Sequence, residues 1–366
     1  MIHFKSLLFY SFLVFFPAFL SAQVSINASD FPAKGDTVRY SNSSSFTANF
    51  TNTGPNYLWD FSDLTAQSQT LVNNADPDLA DAFTQSLFGS TVLPTYRATY
   101  FLPANELPIA TLSAFVDVPI EGINRFYKKT NQEITVVGLS IAASGFAIGK
   151  RADTIEVAYK FPMTFGQTYE SKGFVNLDLS AVAPFSLKQY RERISEVDGW
   201  GIITTPYGTF DCLRIHHIIS ELDSVYLDAG NGPEWYPIDI PTIHEYEWWT
   251  KNQKGPILKA KANEIFGFMA VNEVLYRDNF QPELNVGLAE DKENMTILFP
   301  NPLETNFSLS GANNQSPVFI FDTTGKKILE FQYQDRDIVH QLPAGTYLLL
   351  LKNNETFSQP IRFIKK

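Results

Sequence analysis

From residue 96 to residue 276 the chain alternates apolar and polar positions in short runs broken by glycine, proline and asparagine. A period of two places successive side chains on opposite faces of an extended strand. The pattern predicts strands over residues 96–101, 125–129, 133–137, 146–148, 154–160, 169–179, 189–197, 199–205, 209–220, 224–228, 243–250 and 257–263. No amphipathic helix intervenes, so strands adjacent in sequence are expected to pair antiparallel in a large curved meander. One helix signal precedes them. Asp76-Pro77-Asp78 opens a segment running to about Phe88, with acidic residues and a proline in the first turn, where the helix dipole and the missing N–H favour them. That helix is expected to cap one end of a sheet.

Ahead of this region, residues 30–40 form a turn-rich lead into a strand, and a Ser/Asn/Thr-rich loop spans residues 41–55. Tyr57-Leu58-Trp59-Asp60-Phe61-Ser62 alternates like a strand, with Trp59 and Phe61 as core anchors. The segment echoes the Trp-Asp-Phe-Gly-Asp-Gly signature of polycystic-kidney-disease-type sandwiches but lacks both glycines. Residues 7–20 are apolar and follow Lys5, with Pro17 near their end and Ser21-Ala22-Gln23 after them. This is the layout of a cleavable secretory signal peptide over residues 1–22, cut after Ala22. The run is too short for a stable membrane span, and no later stretch is apolar enough for one. No cysteine follows it to carry a lipid anchor. Cys212, the sole cysteine, has no intrachain disulfide partner and is expected to be a buried, inert thiol in a strand.

Residues 281–295 are polar and turn-rich, with Pro282, Gly287 and the charged run Glu290-Asp291-Lys292-Glu293, and read as a linker between domains at 23–280 and 296–366. Beyond it the pattern becomes that of a small sheet. Pro300 and Pro302 flank Asn301, lack backbone donors and fix φ, so the segment is a rigid extended entry to a first strand. Asp322 to Gly325, followed by Lys326, separates the run Val318-Phe319-Ile320-Phe321 from a second apolar run at 328–331, which predicts a hairpin. Leu342-Pro343-Ala344-Gly345-Thr346-Tyr347 is a turn into the leucines at 348–351, long enough for a strand buried on both faces. The expected core is Phe299, Phe319, Phe321, Tyr347, Leu349 and Phe363. The expected fold is a Greek-key β-sandwich, and the whole chain is mainly β.

The ordered set of Pro300-Asn301-Pro302, Asp322, Gly325, Lys326, Leu342, Gly345, Tyr347 and the terminal Lys365-Lys366 resembles the type A C-terminal sorting domain of proteins exported by the type IX secretion system of Bacteroidetes. The resemblance covers about a fifth of the chain. It departs from the family pattern at Pro360 and Arg362. It implies passage through the periplasm, recognition by the type IX translocon and its surface processing machinery, and a secreted or outer-membrane-surface location. It also implies that the tail is usually removed, and Lys365-Lys366 beside an edge strand is the exposed feature expected to be recognised. In the larger domain, residues 161–166, 204–211 and Tyr246-Glu247-Trp248-Trp249 resemble the half-barrel domains of envelope proteins related to lipoprotein carriers. That resemblance implies a concave apolar face for a lipid or other hydrophobic ligand; a glycan is the other ligand class expected for residues 23–280.

With 31 Phe, 16 Tyr and 44% hydrophobic residues, the composition supports strands and a packed core. The formal net charge of −11 comes without a concentrated basic surface, which argues against nucleic-acid partners. Among groups able to carry chemistry, Glu245 and Glu247 share a strand face at roughly 6.6 Å, within the range used by glycosidases. Trp248 and Trp249 stand beside them as potential sugar platforms. His216 and His217 leave opposite faces of one strand and cannot chelate one ion together, and no metal or other cofactor site is expected. Gly138-Leu139-Ser140-Ile141-Ala142 falls one glycine short of a nucleophile elbow. Asp36-Thr37-Val38, Asp153-Thr154-Ile155, Asp223-Ser224-Val225 and Asp322-Thr323-Thr324 look like O-glycosylation acceptors of Bacteroidetes. The expected function of residues 23–280 is therefore non-enzymatic binding, with a glycan hydrolase using Glu245 and Glu247, or a carrier of a hydrophobic ligand, as alternatives.

Overall fold

In a computed structural model, the described residues are 24–43, 49–104, 120–143, 146–178, 186–228, 232–238, 240–265, 267–285, 298–305, 307–309, 312–322, 326–353, 356–357 and 361–366. Residues 1–22, Gly325, Pro360 and residues 286–295 of the linker lie outside them.

The larger part is built from β1 (Thr37–Asn42), β2 (Tyr57–Asp60), β3 (Ser68–Asn73), helix α1 (Ala82–Phe88), β4 (Tyr100–Pro103), β5 (Ile120–Lys129), β6 (Glu133–Ala143) and β7 (Phe146–Lys160). It continues through β8 (Thr168–Asp178), β9 (Ser186–Thr205), β10 (Gly208–Asp228), β11 (Pro233–Ile238), β12 (Thr242–Trp249), β13 (Leu258–Ile265) and β14 (Phe268–Arg277). The expected meander is present: β4 to β10 and β12 to β14 follow one another as antiparallel neighbours in one 14-stranded sheet, and β14 is then joined by β1 and β3. Beyond β3, Ala75 and Phe101 exchange backbone hydrogen bonds of 3.1 and 3.0 Å, which brings the two ends of the sheet together. The result is a nearly closed barrel, so few edge amides are left open to solvent.

Predicted breaks at residue 198 and residues 221–223 are absent, because β9 and β10 run unbroken for 20 and 21 residues as the longest hairpin. Each shares one edge between two partners. The edge of β9 takes β8 along residues 186–196 and then the parallel strand β2 along 201–204. The edge of β10 takes β12 along 213–219 and β11 along 223–228. Gly201, at φ +156°, permits the close approach of β2, since a Cβ there would lie 2.0 Å from the Tyr57 carbonyl oxygen.

Two apolar clusters fill the ends of the barrel. One gathers Ile123, Leu139, Ile141, Val175, Leu187 and Val225; the other gathers Phe31, Ile134, Val197, Leu213, Ile215 and Trp249. A third lies on the outer face, where Phe50, Trp59 and Phe61 cover Cys212 and Trp248. Trp59 and Phe61 are thus the anchors the alternation predicts, and the Cys212 thiol is fully buried, its burial pushing its pKa up. Arg214 pins this covering segment by donating to the carbonyls of Thr51 at 3.1 Å and Asn52 at 2.6 Å while lying over Tyr246 and Trp248. Helix α1 starts later than expected, with Asp81 accepting from the Thr84 amide as N-cap. It covers the outer face of β5 and β6 rather than an end of the sheet, with Phe88 stacked 4.2 Å from Phe126.

The smaller part contains β15 (Leu298–Phe299) paired with β16 (Ser308–Leu309), and a sheet of β17 (Pro317–Asp322), β18 (Lys327–Gln332), β19 (Gly345–Asn353), β20 (Thr356–Phe357) and β21 (Ile361–Lys365). Its core holds Leu298, Leu303, Val318, Ile320, Tyr347, Leu349, Leu351 and Phe363. Phe319 and Phe321, expected inside, alternate with Val318 and Ile320 and so face outward, half-buried. The same alternation leaves Leu348 and Leu350 half-buried, so the leucine strand is not covered on both faces. Phe299 belongs to the barrel's cluster instead.

Candidate functional site

Inside the barrel, between its two apolar ends, most inward positions are polar or charged. On β9 they are Gln189, Arg191, Arg193 and Ser195; on β10 His217, Glu221 and Asp223; on β12 Glu245 and Glu247. Glu156 on β7 takes Arg193 Nε at 2.6 Å and lies 3.6 Å from Arg191 Nε. Arg191 Nε in turn sits 2.9 Å from Glu221, an ion pair bent away from a linear hydrogen bond. Arg125 Nη2 donates to Gln189 Oε1 at 3.0 Å, and Gln189 Nε2 faces Asp223 Oδ2 at 3.4 Å. Burial alone would raise the Glu156 carboxyl, but Arg191, Arg193 and Arg125 outweigh it and hold the pKa at about 2. Asp223 has the opposite balance, with burial and the neighbouring Glu221 pushing it up to about 8 against Gln189 and Arg191.

The sign of that second shift gives a direct expectation. A carboxyl whose folded pKa lies above its unfolded value favours folding most at low pH, and its contribution is lost as pH rises from about 4 toward 8. Asp223→Asn removes the charge while keeping the shape. Its thermal midpoint should therefore exceed that of the parent chain by several degrees at pH 8 and match it near pH 4. Equal differences at both pH values would show that Asp223 is not the group held protonated.

Glu245 and Glu247 do share a face, as their spacing predicts, but that face is the sealed interior. Glu247 is 2% exposed, accepts from Tyr159 Oη and Trp249 Nε1 at 2.8 Å each, and lies 3.5 Å from Lys259. Glu245 is ringed by Lys259 at 3.4 Å, Lys261 at 3.5 Å and Arg193 at 3.7 Å. Burial acts to raise Glu245, yet Lys259, Lys261 and Arg193 hold it well below the ordinary carboxylate range. Glycoside hydrolysis needs a substrate-accessible acid kept protonated, and the Glu245 side chain, 12% exposed, is enclosed by three cations and held ionised. Trp248 and Trp249 are buried core anchors, so neither offers a sugar platform.

His217 points inward, where its Nδ1 pairs with Ser195 Oγ at 2.8 Å, and burial followed by Arg193 drives its pKa well below the usual imidazole value. His216 points outward, confirming the opposite faces of the pair. It meets His244, Nε2 to Nδ1, at 2.9 Å, and His244 Nε2 reaches Glu264 at 3.3 Å. Burial, then His244 and Arg214, lower His216 to about 3. No group of three or more metal-ligating side chains converges among the described residues. Ser140 lies in the interior of β6 and is 2% exposed, without the sharp turn of an elbow. Of the acceptor-like threonines and serines, Thr37 and Thr154 are exposed and Ser224 is half-buried, while Thr323 and Thr324 lie outside the described residues.

In the smaller part the structure brings together the two ends of the terminal motif set. Asn301 donates through Nδ2 to the Arg362 carbonyl at 3.1 Å and accepts from the Ile364 amide through Oδ1 at 2.8 Å. Its side chain thus supplies the strand-like pairing that Pro300 and Pro302, without N–H groups, withhold. Leu303 continues the ladder, donating to the Ile364 carbonyl at 2.7 Å and accepting from Lys366 at 2.9 Å. Asp322 closes its hairpin by accepting from the Lys326 amide at 3.0 Å. Leu342 and Tyr347 are core residues, and Tyr347 donates to the Pro343 carbonyl at 3.0 Å. Gly345 opens β19 and pairs with Lys365. Gly325 lies outside the described residues. The expectation of an exposed Lys365-Lys366 pair needs correction. Lys365 is 7% exposed between Gly345 and Leu303, with its Nζ donating to the Lys366 carbonyl, and only Lys366 is open.

The chain is thus a nearly closed β barrel followed by a small sheet whose first and last segments are stitched together. Residues 297–366 match the secretion system C-terminal sorting domain, the tail that directs proteins into type IX secretion and so to the medium or the cell surface. No curated protein and no solved structure matches the chain. No helix among the described residues is long and apolar enough to cross a membrane.

Sequence reasoning located the Glu pair and the histidines but missed the rest of the interior. The signal was present as polar residues at alternate positions 189, 191, 193 and 195 and again at 221 and 223.

Proposed function

We propose that residues 23–280 form a non-catalytic binding scaffold, carried across the inner membrane by the residue 1–22 leader and across the outer membrane by the tail. The observation that carries the export part of this reading is the match over 297–366, together with the Asn301 clamp that holds the first and last motifs of that tail in one unit. The translocon and its surface machinery are the partners, and attachment to the surface or release follows there. The barrel's candidate carboxylates serve as internal ion pairs, which supports a scaffold role over hydrolysis. A ligand for such a scaffold binds at its outside or its ends, since charged side chains fill its middle.

Fusing residues 296–366 to an unrelated periplasmic protein should send that protein to the surface or medium in a host with a working type IX system. Retention in the periplasm would reject the tail as a sufficient signal. Mass spectrometry of lipid or glycan co-purifying with the native exported protein identifies the ligand class; purification bare of both would remove the binding role.

A further inference from the structure

β15 is two residues long, and its two side chains serve different cores. Leu298 is buried in the core of the sorting domain with Leu303, Leu309 and Val318. Phe299, on the opposite face, packs against the apolar cluster at one end of the barrel and meets Tyr236 edge-on, with centroids 4.9 Å apart and planes at 75°. The geometry is that of an aromatic pair with its own attraction beyond simple burial. Tyr236 lies in register with Val225, and Ile238 with Asp223, so both face the interior side of the β10–β11 hairpin. Ile148 and Ile155 of β7 complete the apolar surroundings on the other wall. The barrel therefore presents an apolar end, and a side chain from outside the barrel fills part of it.

We infer that this end, built on Val225, Tyr236 and Ile238, is a binding site for an aromatic side chain carried on an extended, proline-flanked segment, and that the chain fills it in cis with Phe299. Pro300 follows at once, and the Asn301 clamp fixes the segment to β21, so the ring is presented on a rigid support. Little conformational freedom is then lost when the contact forms. The tether raises the local concentration of Phe299 far above that of a competing peptide, so the site is closed while the tail is attached. The sorting domain thereby seals an apolar end of its own cargo, and that end can take an apolar partner only when Phe299 leaves.

Hydrogen exchange on the mature full-length chain tests this. In Phe299→Ala the amides of residues 234–236 and 238 should exchange at least tenfold faster, while those of β17 and β19 keep their rates because Phe299 lies outside the sorting-domain core. Tyr236→Ala should reciprocally speed exchange at 298–303. A synthetic peptide of residues 296–303, added in trans, should bind the full-length Phe299→Ala chain, quench or shift the neighbouring Trp235 emission, and leave the parent chain unaffected. A peptide with alanine in place of its phenylalanine should not bind. Unchanged exchange at 234–236 and 238, or equal peptide binding by parent and variant, would overturn the site. None of these readouts depends on export.

Discussion

Deleting the last ten residues is expected to lower the amount of protein reaching the medium or surface at least tenfold and to leave a folded barrel in the periplasm. The deletion removes β21, and with it one of the strands paired with β19 and the partners of Leu303 and of both Asn301 side-chain groups. Phe363, fully buried beside Tyr347, leaves as well, and loss of a core phenylalanine costs about 3–5 kcal/mol. A domain of this size without a disulfide has little stability to spare, so the tail should unfold as a unit. The barrel's clusters are separate except at Phe299, and its thermal transition should shift by no more than a few degrees. Asn301→Leu is the milder companion, which keeps every strand but leaves the Ile364 amide and the Arg362 carbonyl without their partner. Its export should fall between those of the parent and the deletion. Quantifying the protein in medium, surface and periplasmic fractions decides the matter, and full export of the ten-residue deletion would show that the terminal strand is dispensable.

Glu156→Gln should destabilise the barrel by about 3–5 kcal/mol, because it removes the carboxylate that the buried Arg191 and Arg193 share and leaves Arg193 only the more distant Glu245, at 3.7 Å. For a domain this large the midpoint should fall by roughly 6–20 °C. The double change of Glu156→Leu with Arg193→Met should lose less than the sum of its single changes, since removing both partners of a buried pair avoids the stranded ion. The pH profile carries a second signature. Glu156 is held at about 2 when folded, below its unfolded value, so its contribution is present above about pH 4.5 and is lost as pH falls toward 2. The parent chain should lose stability over that window more steeply than Glu156→Gln does. Parallel profiles would mean that Glu156 is not the carboxylate held ionised by the arginines.

Several features were legible in the residues. Ordered turn and strand motifs over 296–366 pointed to the sorting tail. Alternation placed nearly every strand and made neighbours antiparallel. Trp59, Phe61 and Cys212 were read as buried, and they are. The barrel strands left out, β3, β11 and β14, have mixed patterns because their faces are only partly covered: β3 exposes Leu71 and β11 exposes Trp235.

What alternation decides is which side chains share a face; it is silent on which face points inward. Nothing local marks Arg191 and Arg193 as interior residues; Glu156 meets them from a strand more than thirty residues away. Glu245 and Glu247 read as an open catalytic pair until Lys259 and Lys261 close over them. A charge can be buried only where an opposite charge is brought to it, and that meeting is set by sheet closure, here through Ala75 and Phe101, not by any local run of residues. The same holds for Phe299, which local pattern assigns to the sorting core. The sequence by itself thus determined the strands, their pairing direction and the export tail; the tertiary structure alone decided the charged interior and the contact between tail and barrel, because both depend on partners distant in the chain.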